Sequence, residues 1–207
     1  MNKYLLLIFF LISNFQKVFS EKKPNIVIIM LDDMGYGDIE SFGAIDYYTP
    51  NINDLADNGM LFTNFYSAQA VCSASRAGLL TGTYPNRIGI NGALFPQSKV
   101  GLNSNEKTIA EILKEKKYKT AVIGKWHLGH QKEFLPLNHG FDYYYGIPYS
   151  NDMWPVDFDG NQITNNNDWR KKNYPQLPII ENYKKIGEVR TLDDQAKLTT
   201  LYTEKSV

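Results

Sequence analysis

One stretch near the start of the chain, Asn25-Ile26-Val27-Ile28-Ile29-Met30-Leu31, restricts the fold more than any other. It is continuously apolar and β-branched, and it stops at Asp32-Asp33. Such a run suits a strand buried on both faces, as in a parallel sheet with helices on each side. The elements that follow fit the same class. Thr49-Pro50-Asn51 opens a short helix through Ile52, Leu55 and Ala56, with Asn58-Gly59 as its stop. Residues 61–70 alternate loosely and are aromatic, which predicts a strand, and 73–80 predicts a short helix ending near Gly82. Residues 108–117 form an amphipathic pattern with Ile109, Ile112 and Leu113 on one face and lysines in the last turn. Residues 120–123 read as a second short buried strand ending at Gly124-Lys125. Strands alternating with helices predict an α/β sheet.

From Ser150 the texture changes. Residues 161–167 are rich in Asn, and Pro175 and Pro178 interrupt the stretch before Tyr183, so a long irregular surface excursion is expected. Asp193-Asp194 then starts a helix with Leu198, Leu201 and Tyr202 on one face, and it reaches Val207 without a Gly, Asn or Pro stop. The expectation is a chain interrupted in mid-helix.

The ends and the charge narrow the function classes. Lys3, the apolar run 5–12 and Val18-Phe19-Ser20 have the layout of a secretory signal peptide over residues 1–20, leaving a mature chain of 21–207. The apolar run is shorter than the roughly 20 residues that span a bilayer. The expected product is exported, with no membrane association after cleavage. Its 22 basic and 22 acidic residues cancel, and losing Lys3 and Lys17 takes the balance to −2, against the basic surplus that nucleic-acid binding demands. A single Cys permits neither an intrachain disulfide nor a Cys-based zinc site. In an oxidising compartment that lone thiol is either buried and inert or chemically special.

Three constellations carry chemistry. Asp32 and Asp33 follow the first predicted strand, where open α/β sheets bind ligands. Two adjacent carboxylates there suit a hard cation, Ca²⁺ or Mg²⁺, and equally an ordinary acidic turn. In Ala70-Val71-Cys72-Ser73-Ala74-Ser75-Arg76-Ala77-Gly78-Leu79-Leu80-Thr81-Gly82, Cys72 falls at a helix start, where backbone N–H groups favour an anion, and Arg76 lies one turn on. A capped helix with a surface Arg has the same pattern. In Val122-Ile123-Gly124-Lys125-Trp126-His127-Leu128-Gly129, an extended backbone would project Lys125 and His127 to one side, a point charge beside a proton acceptor.

Taken together, these pieces resemble the sulfatase family. The segment around Cys72 is similar to the first sulfatase signature, with Ala74 where most members have Pro. Gly124-Lys125-Trp126-His127 resembles the second signature, with Lys117 where Gly is usual. Asp32-Asp33 resembles the opening metal motif, and Asn138-His139-Gly140-Phe141-Asp142 and Gly146-Ile147-Pro148-Tyr149-Ser150 resemble the arylsulfatase A and N-acetylgalactosamine-6-sulfatase branch. The resemblance covers residues 24–150 and, weakly, the last helix. It implies an alkaline-phosphatase-like α/β sandwich with a mostly parallel central sheet flanked by helices, here incomplete at the C-terminus. It also implies that a formylglycine-generating or other sulfatase-maturing enzyme oxidises Cys72 to formylglycine. One hydroxyl of the hydrated aldehyde would attack the sulfur of a sulfate monoester, and the other would lose its proton as sulfate leaves. Asp32, Asp33 and the modified Cys72 would hold Ca²⁺, with Mg²⁺ as the other hard-ion option. Arg76 would hold the nucleophile, Lys125 would bind sulfate, His127 would act as base and Ser150 would contact the cluster. The substrate is expected to be an aryl sulfate or a sulfated sugar. Phosphate or phosphonate ester hydrolysis on the same fold, or a truncated non-catalytic remnant, are the other readings. No Asn-x-Ser/Thr acceptor occurs after residue 20, which favours a periplasmic or secreted destination over a glycan-sorted lysosomal one.

Overall fold

The computed structural model describes residues 23–207, so the expected signal segment 1–20 lies outside the described residues. The chain divides into two units, Met1–Gly35 and Tyr36–Val207. In the first, residues 23–31 have no regular secondary structure, and Asp32-Asp33 make a turn in which Asp33 takes a left-handed φ of 59°. The strand expected over 25–31 is therefore not formed, and Val27 and Ile29 are exposed. β-Propensity describes fit to a pleated, paired surface. This run has the propensity and forms no ladder.

The second unit supplies the folded body. Pro50–Asp57 (α1) starts with Pro at its first turn and stops at Asn58, as expected. Cys72–Thr81 (α2) begins after Val71, whose φ −139° and ψ 139° are extended, and ends at Gly82 with φ 64°. Glycine adopts that left-handed stop without a Cβ clash. Ile109–Glu115 (α3) opens with a capping box, in which the Thr108 side chain accepts from Glu111 N–H and the Glu111 carboxylate accepts from Thr108 N–H. The strand expected over 61–70 is absent; that segment is turns and bends, with Phe62, Phe65 and Tyr66 exposed.

A four-stranded sheet follows, in the order β1-β2-β3-β4: Ala121–Lys125 (β1), Tyr143–Ile147 (β2), Leu177–Glu181 (β3) and Lys184–Val189 (β4). β1 and β2 run parallel, with Ala121 opposite Tyr143 and Lys125 opposite Ile147. β2–β3 and β3–β4 are antiparallel, so the sheet is mixed. Gly146 faces Gly124 across the parallel pair, and a Cβ on Gly146 would stand 1.8 Å from the Gly124 carbonyl oxygen. Only glycine permits that approach, one residue before Lys125.

The hairpin β3–β4 corrects the expectation of an irregular excursion reaching Tyr183. Pro178 lies within β3, outside the short register that β3 shares with β2, so its missing N–H breaks no ladder bond on that side. Asn182 closes the hairpin with φ 56°, donates its N–H to the Tyr144 carbonyl at 2.7 Å, and accepts from Tyr144 N–H through its side chain at 3.1 Å. Before the hairpin, Trp169–Asn173 (α4) is capped by the Asp168 carboxylate. The terminal helix is two pieces, Leu192–Ala196 (α5) and Leu198–Ser206 (α6), with Leu198 buried.

Candidate active site

α2 is locked in place by its small residues. Ser73, Ala74 and Ala77 are fully buried, so the helix packs closely on the body of the unit. Cys72 is its first residue, half-buried and not in a disulfide. The N-cap residue, Val71, offers no capping side chain, and the first-turn N–H groups and the positive end of the helix dipole lie beside Cys72. One turn on, the Arg76 guanidinium donates through Nη1 to the Lys125 carbonyl at the end of β1. Lys125 Nζ in turn donates to Ser150 Oγ at 3.2 Å. Arg76, Lys125 and Ser150 thus form one hydrogen-bonded chain across α2, β1 and the segment after β2.

His127 reaches the same region by a different route. β1 ends at Lys125, but Trp126 N–H and His127 N–H still donate to the Ile147 and Pro148 carbonyls at 2.9 and 3.1 Å. His127 has φ 58°, so the strand alternation breaks there, and Lys125 and His127 do not share a side through an extended backbone as expected. The imidazole is 1% exposed, with Nε2 2.7 Å from the Leu94 carbonyl oxygen. A carbonyl only accepts, so Nε2 carries the proton, and in the neutral ring Nδ1 is the lone-pair nitrogen. Leu94 N–H donates to Ser73 Oγ at 3.0 Å, which ties the His127 partner to the first turn of α2. Sequence reasoning missed Ser73 and Leu94. The His127 contact is to a backbone carbonyl 33 residues away, and no side-chain pattern signals it.

The segment leading to Ser150 is buried from residue 144 through 150. Tyr149 is buried, its hydroxyl donates to the Gln176 carbonyl at 3.4 Å, and burial together with Glu188 raises its phenol well above the usual range. It therefore stays neutral beside Ser150. Asp32 and Asp33 occupy their turn in the N-terminal unit with both carboxylates exposed. Two adjacent carboxylates are an all-oxygen donor pair, and that chemistry fits Ca²⁺ or Mg²⁺.

The family model described as Sulfatase matches residues 24–196. Arylsulfatase G of Mus musculus is 46% identical over 156 residues, covering 75% of this chain and 28% of that protein. N-acetylgalactosamine-6-sulfatase of Homo sapiens is 35% identical over 198 residues, covering 89% of this chain and 35% of that protein. Among solved structures, the PsFucS1 sulfatase from Pseudoalteromonas sp. superimposes with a TM-score of 0.76 at 32% identity, over 89% of this chain and 40% of that one. Ps i-CgsB superimposes with a TM-score of 0.68 at 33% identity, over 89% of this chain and 42% of that one. The likeness to the PsFucS1 sulfatase gives this chain the α/β, alkaline-phosphatase-like fold of those enzymes. The chain spans about a third of the length of the curated relatives it matches.

Proposed function

The chain belongs to the sulfatase family, and from that premise we propose that it carries the nucleophile and part of the sulfate-binding machinery of a sulfate monoester hydrolase. The observation that carries this reading is the hydrogen-bonded chain Arg76–Lys125–Ser150 running from the helix that Cys72 heads. Formylglycine made from Cys72 by a sulfatase-maturing enzyme would supply a hydrated aldehyde as the nucleophile. A divalent cation, Ca²⁺ or Mg²⁺, held by Asp32, Asp33 and the modified Cys72, would supply positive charge toward the sulfuryl oxygens.

The remaining roles belong to the chain's own groups. First-turn N–H groups of α2 favour an anion at Cys72. Arg76 brings a delocalised cation to the nucleophile position and is oriented by its bond to the Lys125 carbonyl. Lys125 binds a sulfate oxygen as a point charge, and Ser150 holds its ammonium in place. His127 Nε2–H is committed to Leu94, so Nδ1 is the atom that takes a proton. With residues 1–20 read as a signal peptide, the protein is exported. Among the described residues no helix is long and apolar enough to cross a membrane.

The test uses the full-length protein made together with a sulfatase-maturing enzyme. Mass spectrometry of the Cys72 peptide should show the aldehyde, and Cys72→Ala should lower aryl sulfate hydrolysis by at least about a thousandfold with folding retained. Substantial turnover by a folded Cys72→Ala protein, or phosphate ester turnover above sulfate ester turnover, overturns the reading.

A further inference from the structure

Beyond Ser150 the chain builds a feature that the chemistry above does not use. Met153, Trp154 and Val156 are buried and anchor the segment. Phe158, by contrast, is 93% exposed, and Trp169 at the start of α4 is 60% exposed. Single exposed apolar residues are ordinary. These are clustered around one cation: the Arg170 guanidinium lies 5.1 Å from the Phe158 ring centroid and 5.8 Å from that of Tyr174. Trp169 meets Tyr174 edge-on at 5.1 Å. Lys171 and Lys172 follow Arg170, and the nearest acid in sequence, Asp168, is occupied in capping α4.

Two tethers fix this cluster to the candidate site. Arg170 Nη1 donates to the Asp152 carbonyl at 3.0 Å. Asp152 is two residues from Ser150, a span of at most about 7 Å along the chain, and Ser150 holds Lys125. On the other side, Gln97 Nε2 donates to the Asn173 carbonyl at the end of α4. Gln97 lies three residues from Leu94, the partner of His127. The aromatic cluster therefore hangs from the two segments that position Lys125 and His127.

Resting on the hydrolase reading, we propose that Phe158, Trp169, Arg170 and Tyr174 form a subsite for a neighbouring sugar of a sulfated oligosaccharide whose ester is cleaved at Cys72. The C–H edges of a pyranose ring present an apolar face that matches an exposed indole or phenyl ring. A guanidinium already flanked by two rings is preorganised, and it matches a second sulfate through paired N–H donors. A small aryl sulfate has no group to place there.

The experiment compares full-length, matured wild type with Trp169→Ala and Arg170→Gln. The probes are para-nitrophenyl sulfate and three sulfated hexasaccharides, prepared from carrageenan, chondroitin sulfate and fucoidan. Expected is a fall in kcat/KM on at least one hexasaccharide that exceeds the fall on para-nitrophenyl sulfate by about tenfold, the size of one lost cation–π or stacking contact. Equal falls on both classes, or no fall, overturn the subsite. Binding is read separately by titrating each hexasaccharide into the Cys72→Ala protein and following tryptophan fluorescence, with Trp169→Phe as the reporter control. Loss of hydrolysis on every probe with binding retained, and weakened about tenfold by Arg170→Gln, sinks the hydrolase reading and keeps the subsite. Failure of all three hexasaccharides to bind the Cys72→Ala protein removes the subsite.

Discussion

Two hydrophobic cores divide the folded unit, and they hold different halves of the candidate site. The first gathers Ala74, Ala77, Ile90, Trp126, Leu128 and Tyr144 with their neighbours. Its α2 side consists of the small residues Ala74 and Ala77, where the helix packs closely and Arg76 reaches the Lys125 carbonyl at the end of β1, and its large members Trp126 and Leu128 flank His127. The second gathers Ile147, Tyr149, Trp154, Leu177, Val189 and Leu198. It is built on large side chains that clamp the segment after β2 onto the hairpin β3–β4, and it carries Ser150 together with the aromatic cluster around Arg170. Lys125 Nζ to Ser150 Oγ, at 3.2 Å, is a bond between the two. The difference teaches that reacting groups sit where backbones must pack closely, whereas the part that meets the rest of a substrate sits on a separately anchored segment.

The largest effects should come from emptying each core. Trp126 is 2% exposed, and its Nε1 donates to the Phe134 carbonyl at 2.8 Å, so Trp126→Ala should cost roughly 3–5 kcal/mol. Leu177→Ala in the second core should cost roughly 2–5 kcal/mol. Denaturant unfolding gives both values. Kinetics on the surviving folded fraction separates them, since the first should lower kcat through Lys125 and His127, and the second should raise KM. The same kinetic signature from both variants would break the division. Next in size is the bond between the cores. Ser150→Ala removes the acceptor that holds Lys125, and hydrogen bonds to charged groups contribute about 1.5–3 kcal/mol, so kcat/KM should fall roughly tenfold to a hundredfold. A fall of less than twofold would make the Lys125–Ser150 contact incidental.

The two cores also differ in how legible they are from sequence. α1, α2, α3 and β1 follow from caps, glycine stops and apolar spacing, and all are read within about two residues of where they stand. Arg76, Lys125, His127 and Ser150 follow from a family resemblance carried by motifs. Their geometry does not, because Arg76 and His127 meet backbone carbonyls, which every residue has. The hairpin β3–β4 is hidden by Pro178 and by an Asn at the left-handed turn position, both of which read as loop until the edge register and the Asn182 bonds to Tyr144 are known. The runs 25–31 and 61–70 have strand composition and form no ladder. Composition reports what a segment would bury, and only pairing decides whether it does.

A smaller effect tests how the first core is closed. Thr108 is fully buried, accepts from Glu111 N–H and donates to the His139 carbonyl at 2.7 Å, so it joins α3 to the turn before β2. Thr108→Ala removes both bonds and should cost about 1–2 kcal/mol. Thr108→Ser keeps the hydroxyl and should restore most of that loss. A Ser variant no better than Ala would mean that the methyl group, and not the cap, supports the core.

The smallest expected effect is on pH dependence, because each core has a histidine at its edge. His139 stacks on Trp126 at 5.9 Å and 29° in the first, is 1% exposed, and has no hydrogen-bond partner among the described residues at either ring nitrogen. His130 meets Tyr149 edge-on at 5.9 Å in the second and is only half-buried. Burial lowers both imidazoles below their ordinary value of 6.5, opposed by Glu111 for His139 and by Glu133 for His130. A group with a lowered folded pKa binds more protons when unfolded, so stability is complete above pH 6.5 and is lost as pH falls toward the folded values. His139→Phe keeps a flat ring against Trp126 and removes the titration. It should leave the urea midpoint at pH 7.5 unchanged or higher and flatten the decline between pH 6.5 and 5. His130→Phe should flatten it less, because a half-exposed imidazole is charged at lower cost. If His130→Phe flattens the acid limb as much as His139→Phe does, the first core is not the drier of the two, and the close packing assigned to it along α2 does not extend to the Trp126 face.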